Sequence, residues 1–333
     1  MMRHLMENAR DLDLSGGIIF MDIDSIGRCD IDFSKLESIV SPLFIYPNIS
    51  EREIGTKHRN AWCVIVNKVK LTRNFFMSRP DLKLVCIIAT GINNVDVKAA
   101  EDFGVSVMNC RGYSTEAVAQ HTVMLMLNLF RNFVAYQRDL TNGNWSRSPF
   151  FCLLNHPIRE AHGLKLGIVG FGEIGRRVSE LARSLGMDVI ISERPGSKVR
   201  SGRMPFHDTL SECDVISLHC PLTQENKHII DQHALRLMRR DAIIINTSRG
   251  ALIDEWALLE ALSGKIIGGA GIDVLDQEPP AFNHPLLKAN LTNLIITPHN
   301  AWGSRDARQC AVDQTVENIK AWLNRSGDRY VFS

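Results

Sequence analysis

No uninterrupted apolar run in this sequence approaches the roughly 18 residues that a membrane-spanning helix needs. Excess charge of one sign is missing as well. With 38 basic and 37 acidic residues the formal net charge is +1, which gives no reason to expect nucleic acid or an anionic membrane as a partner. Paired cysteines are also lacking. The eight cysteines are scattered at 29, 63, 86, 110, 152, 213, 220 and 310 without a Cys-x-x-Cys, and several sit in apolar stretches such as "DLKLVCIIAT". Small buried hydrophobes in a reducing compartment fit that pattern better than disulfides or zinc, so a cytoplasmic protein is expected. The leading "MMRHLMENARDLDLSGG" has no apolar centre of a signal peptide and reads as a short extension.

What is present belongs to a globular chain. A hydrophobic fraction of 45% and a charged fraction of 23% can bury real cores, and 333 residues at about 150 per domain suggest two domains. From Gly167 onward, short β-branched runs at 165–169, 188–192, 214–218, 242–246, 267–273 and 293–297 alternate with amphipathic segments such as "EIGRRVSELARSLG". Continuous apolar strands separated by helices imply a parallel sheet covered on both faces. The first hundred residues repeat this grammar in "GIIFMD", "LFIYP", "WCVIVN", "KLVCIIA" and "VSVMN". Next, Ser114 or Thr115 caps a helix apolar on nearly every side, which belongs at a domain or subunit interface. The tail "DARQCAVDQTVENIKAWLN" is a helix long enough to return to the first domain. The expected fold class is therefore α/β, with a doubly wound Rossmann cofactor domain (111–298) inserted into a smaller flavodoxin-like parallel α/β substrate domain (1–110 and 299–333).

The stretch "LGIVGFGEIG" runs a strand into a glycine-rich turn and a helix. Gly170 permits the tight turn, Gly172 lets backbone approach a pyrophosphate, and Gly175 allows close packing of helix on strand. The amides of Glu173 and Ile174, at the positive end of the helix dipole, would hold the diphosphate. Glu193, 18 residues past Gly175, ends the next strand. There it would accept hydrogen bonds from the adenosine ribose of NAD and repel the 2′-phosphate of NADP. Its neighbour Arg194 keeps NADP(H) as the secondary candidate.

Three further residues follow the later strands. Arg249 lies in "NTSRG", Glu278 in "LDQEPP" and His299 in "TPHNAWG". Taken singly, each is as well explained by a surface turn, a loop or an ordinary buried histidine. Their recurrence at successive strand ends of one nucleotide fold points to chemistry. Reducing a 2-keto acid needs a proton for the carbonyl oxygen, which a histidine can donate and recover. A carboxylate on the other ring nitrogen orients it, and a guanidinium forks to the substrate carboxylate and carbonyl. No metal is required, and Asp231 with His233 reads as a helix cap and a surface group.

Taken together, "GFGEIG", "HCPLT", "NTSRG", "GIDV…EPP" and "TPHNAW" resemble the D-isomer-specific 2-hydroxyacid dehydrogenases over roughly residues 17–325. The resemblance implies Arg249, Glu278 and His299 as the catalytic trio and Asp273 at the nicotinamide carboxamide. It also implies Thr247, Cys220 and Pro221 lining the cofactor cleft. Amides of Thr90, Gly91 and Ile92 would meet the substrate carboxylate, with Asn109 near that pocket and Trp302 beside the histidine. Within the family, "NCRGYSTEAVAQHT", "FCLLNHPI" and "PHNAWG" look most like glycerate dehydrogenases, also called hydroxypyruvate reductases. Departures from the broad pattern are Asn67-Lys68 for a common Arg-Ser, Gln120 for a glutamate, and Ile92-Asn93 where a glycine is frequent.

The expected function is NADH-dependent reduction of hydroxypyruvate and glyoxylate, with a small 2-keto or 2-hydroxy acid as partner and neither nucleic acid nor membrane. The aromatic arm "NGNWSRSPFFCLL" suggests a homodimer. The alternatives are a D-lactate or 3-phosphoglycerate type dehydrogenase, or a non-enzymatic NAD(H)-sensing binding protein. Asn67 at the position of a phosphate-binding arginine, and a chain ending at Ser333, weigh against the phosphoglycerate type.

Overall fold

The computed structural model describes residues 13–39 and 41–324. The extension expected at the N-terminus falls largely on residues 1–12, outside the described residues, as does 325–333 of the expected substrate domain. The chain divides into two compact units, Met1–Ser114 with Gly303–Ser333, and Thr115–Trp302. Both crossings lie four residues beyond the expected 110/111 and 298/299, for identifiable reasons. Gln314, on the helix Arg305–Leu323, holds both the amide and the carbonyl of Arg111 and so keeps 111–114 with the first unit. Asp273 holds the amides of His299, Asn300 and Ala301 and so keeps that segment with the second.

The first unit carries β1 (Ile18–Phe20), β2 (Leu43–Ile45), β3 (Cys63–Val66), β4 (Leu84–Ile87) and β5 (Ser106–Asn109). They form one sheet in the order β2-β1-β3-β4-β5, every pairing parallel, which is the flavodoxin-like order. Alternation sends Ile19, Val64, Val85 and Val107 to one face, against Phe75, Phe76, Ala99 and Ala100. The other face meets Arg305–Leu323, where Trp322 stacks on Trp62 at 5.3 Å and the Cys110 thiol donates to the Ala311 carbonyl at 3.3 Å. At about 1.5–3 kcal/mol per fully buried aliphatic side chain, strands of three or four residues suffice. Ser304 caps that helix, and Arg308 reaches Asp30 with two bonds of 2.7 and 2.8 Å.

The second unit carries β6 (Lys165–Val169), β7 (Asp188–Ile191), β8 (Val215–Leu218), β9 (Ile243–Asn246), β10 (Gly269–Ile272) and β11 (Leu294–Ile296). The sheet is parallel throughout, in the order β11-β10-β9-β8-β6-β7. Ile243 and Ile245 share one face with Leu166 and Ile168 beneath the helices Thr115–Phe130 and Glu173–Ser184, while Ile216, Leu218 and Ile244 pack oppositely against Leu235, Leu258 and Leu262. From β6 the chain winds outward to β7 on one side and to β8 on the other. A crevice therefore opens at the carboxyl ends of β6 and β8.

The helix Thr115–Phe130 is less enclosed than its composition suggests. Val118, Ala119, Thr122, Leu125, Met126, Leu129 and Phe130 are buried at helical spacing, but Glu116, Gln120 and Met124 form an exposed outer stripe. Among the described residues, no helix is long and apolar enough to cross a membrane.

Candidate active site

At the crevice, β6 gives way to a helix whose N-cap is Gly172, with no side chain bonded to the first amides. Gly170 has φ +97°, and a Cβ there would strike the backbone of His219 and Cys220, so only glycine lets the turn lie against the end of β8. Gly175 packs on the Gly170 carbonyl. Gly172 is the opposite case: a Cβ added to it meets nothing within 4 Å and would project into open space. The amides of Glu173 and Ile174 border that space at the helix's positive end, a seat that fits an anionic diphosphate. Just beyond β8, the half-buried Cys220 accepts the Ser248 hydroxyl on its carbonyl at 2.6 Å, and burial pushes its thiol pKa up. Pro221 accepts Asn226 Nδ2 at 2.8 Å, and the Thr247 hydroxyl lies 3.0 Å from that of Thr122.

The three residues singled out for chemistry follow β9, β10 and β11, which are neighbours in the sheet, so their carboxyl ends share one edge. Arg249 follows β9. Its Nη1 donates to the Ser248 carbonyl at 2.7 Å, and among the described residues it has no carboxylate partner. The next residue, Gly250, lies so close to the backbone of Leu275 and Asp276 that any Cβ would collide with it. The Leu275 amide in turn donates to Glu278 Oε1 at 2.9 Å. The other carboxylate oxygen of Glu278 takes His299 Nδ1 at 2.6 Å. A carboxylate only accepts, so Nδ1 carries the proton and Nε2 is the ring position left for exchange. Both side chains are about a third exposed, 35% and 34%.

His299 is held in a left-handed conformation, φ +50°, which costs a non-glycine residue of order 1–3 kcal/mol. Asp273 offsets this. Its carbonyl accepts the His299 amide at 2.8 Å, its Oδ1 accepts Thr297 Oγ1 at 2.5 Å and the Asn300 amide at 3.0 Å, and its Oδ2 accepts the Ala301 amide at 3.0 Å. The carboxylate expected at the nicotinamide is thus chiefly the clamp of the histidine turn, with an acceptor position left on Oδ2. Trp302 closes the turn by donating its indole N–H to the His299 carbonyl at 2.9 Å.

In the first unit, Asn109 Nδ2 donates to the Thr90 carbonyl at 2.8 Å and braces the loop after β4. Among the described residues the amides of Thr90, Gly91 and Ile92 have no acceptor, which leaves three donors for an anion. Buried Asp22 gathers the amides of Asn67, Lys68 and Val69 at 2.6–3.2 Å and fixes the loop after β3.

Glu193 departs from its expected part. It is 2% exposed, and its carboxylate accepts Arg200 Nε at 2.7 Å and Nη2 at 2.6 Å, together with the amides of Arg194 at 2.9 Å and Arg200 at 3.3 Å. These bonds pull its pKa down to about 2 and fill every lone-pair position that a ribose hydroxyl would use. Arg200 was not anticipated because an exposed loop residue seven positions on carries no local signal. His121 and Thr297 were also missed. His121 Nε2 is 2.9 Å from Thr297 Oγ1 and 3.6 Å from Asp273 Oδ1, and burial lowers its pKa. A histidine inside an otherwise apolar helix was the available clue. Asp231, by contrast, caps the helix Gln232–Leu237 as its position suggests, accepting the Ala234 amide at 2.8 Å.

Comparison with known proteins accords with this geometry. The family model described as "D-isomer specific 2-hydroxyacid dehydrogenase, NAD binding domain" matches residues 123–301. A glycerate dehydrogenase from Methylorubrum extorquens is 38% identical over 312 residues, covering 92% of this chain and 96% of the relative. A hydroxypyruvate reductase from Blautia hydrogenotrophica is 32% identical over 316 residues, covering 93% and 97%. Among solved structures, a D-lactate dehydrogenase from Aquifex aeolicus complexed with NAD and lactic acid superposes with a TM-score of 0.78 at 27% identity, covering 95% of this chain and 99% of that one.

Proposed function

The chain belongs to the D-isomer-specific 2-hydroxyacid dehydrogenases, and from that premise we propose that it reduces hydroxypyruvate to D-glycerate, and glyoxylate to glycolate, with NADH as hydride donor. The observation that carries the reading is the 2.6 Å bond between Glu278 and His299 Nδ1, which leaves Nε2 as the proton-donating position. The choice of substrate rests on the names of two relatives that match over more than nine-tenths of this chain, a glycerate dehydrogenase and a hydroxypyruvate reductase.

In this reading a reduced nicotinamide, when bound, would supply hydride for the carbonyl carbon. His299 Nε2 delivers the proton to the carbonyl oxygen and takes it back in the reverse direction. Glu278 keeps the ring in the tautomer that allows this and stabilises the imidazolium. Arg249, lacking a carboxylate partner, offers its fork to the substrate carboxylate and polarises the C=O. The amides of Thr90, Gly91 and Ile92, unpaired among the described residues, are read as further donors to a carboxylate. Gly170, Gly172, Glu173, Ile174 and Gly175 hold the diphosphate. Cys220, Pro221 and Thr247 would line the coenzyme, the open acceptor on Asp273 would take its carboxamide, and Trp302 would narrow the space beside the histidine.

The working form in this proposal is a cytoplasmic homodimer. Its eight cysteines are thiols rather than disulfides, and the arm after residue 143 presents Phe151 at 92% and Leu154 at 77% exposure. That arm is pinned at its base by Asp139, which accepts Asn144, Asn155 and His156, so its apolar residues are displayed on a fixed support.

The deciding experiment follows loss of reduced-nicotinamide absorbance with hydroxypyruvate, glyoxylate, pyruvate and phenylpyruvate. Hydroxypyruvate should give the highest kcat/KM, and His299→Ala should remove turnover while NADH binding persists. No turnover with any of the four, or a clear preference for pyruvate, would refute the proposal.

A further inference from the structure

The coenzyme's adenosine end is the place where the charge pattern departs most from a pocket built for NADH alone. An acid at the end of the second strand ordinarily excludes a 2′-phosphate by repulsion and by binding the ribose hydroxyls itself. Here the acid does neither. All four bonds that Glu193 accepts come from within its own loop, two of them from the fork of Arg200, so its charge is cancelled and its acceptors are occupied. Arg203 Nη1 lies 3.8 Å from the same carboxylate, and Arg194 and Lys198 stand exposed on the same loop. Residues 193–203 therefore carry four cations against one carboxylate. Arg194 also acts beyond the loop. Its charge pulls against the burial that raises the thiol of Cys220, which follows β8.

We propose that this pocket binds NADPH on terms comparable with NADH, and that Arg200, by occupying Glu193, is the residue that sets this breadth. A 2′-phosphate arriving here meets exposed guanidinium groups that can pair with it, in place of a bare carboxylate that would repel it. The inference rests on the reading of the 170–175 turn as the seat of the coenzyme diphosphate.

The test is a fluorescence titration of the full chain with NADH and with NADPH, accompanied by kcat/KM with each. The wild-type dissociation constants should agree within about tenfold, with NADPH binding weakening more steeply as salt is added. Arg200 is 57% exposed, so Arg200→Ala removes little packing. With the Glu193 charge uncovered, NADPH should bind at least about tenfold more weakly while NADH changes less than about threefold. Glu193→Gln, which loses a charge already neutralised, should keep NADPH within about threefold of wild type. A wild-type preference for NADH of more than about tenfold would overturn the inference whatever the variants do. Arg200→Ala with an unchanged coenzyme ratio would overturn the part assigned to Arg200. Binding of NADH without NADPH sinks this inference alone, whereas binding of neither coenzyme sinks the dehydrogenase reading with it.

Discussion

Glu278→Gln tests the proposed chemistry most sharply because the structure gives that side chain two incompatible duties once it is an amide. As a carboxylate it accepts from two donors, the Leu275 amide at 2.9 Å and His299 Nδ1 at 2.6 Å. Glutamine has one oxygen. If that oxygen keeps the Leu275 amide, the NH2 group faces Nδ1 and favours the tautomer that cannot return a proton through Nε2. If the oxygen turns to the histidine, the Leu275 amide loses its acceptor, a defect of roughly 1–3 kcal/mol. Either way the charge-assisted bond disappears. Such a bond is worth about 1.5–3 kcal/mol, and partial exposure of both partners argues for the lower half of that range. A loss of about 2 kcal/mol in the transition state corresponds to a fall in kcat of about thirtyfold. Initial rates of hydroxypyruvate reduction measure this, and an NADH titration should show coenzyme affinity within about twofold of wild type. A kcat within threefold of wild type would remove Glu278 from the mechanism.

Two other outcomes follow from the same coordinates. Gly172 has φ −82°, which valine tolerates, and open space beyond its Cα, so Gly172→Val should shift the thermal midpoint by no more than about 2 °C. The same methyl groups occupy the proposed diphosphate seat and should weaken NADH binding by about a hundredfold or more; wild-type affinity in the variant would contradict the seat. His219 is half-buried with its Nε2 2.8 Å from Ser217 Oγ, and desolvation pushes its pKa down from 6.5 to about 4. The unfolded chain then takes up a proton below about 6.5 that the folded chain refuses until about 4. The stability this group contributes is therefore complete above about pH 6.5 and lost as pH falls toward 4. Urea titrations should lose about 2 kcal/mol between pH 7 and pH 5 from this group, and less in His219→Asn; equal losses would show that His219 is not responsible.

The central strands were legible because a parallel strand buried on both faces writes its burial directly into a run of β-branched residues. "KLGIV", "AIIIN" and "LVCII" need no partner to be recognised. The glycine turn is equally local, since the residues that shape it and the amides that would hold the diphosphate lie within six positions. What the chain order alone determined, then, is wherever cause and effect are neighbours along the backbone. Only the tertiary structure could decide the rest. It joined Arg200 to Glu193 through a loop and so neutralised a carboxylate that the sequence presents as bare. It tied His121 to Thr297 across 176 positions, and it gave Asp273 to the amides that hold the histidine turn. A carboxylate's behaviour depends on which donors reach it within about 3 Å, and that distance is set by folding rather than by spacing.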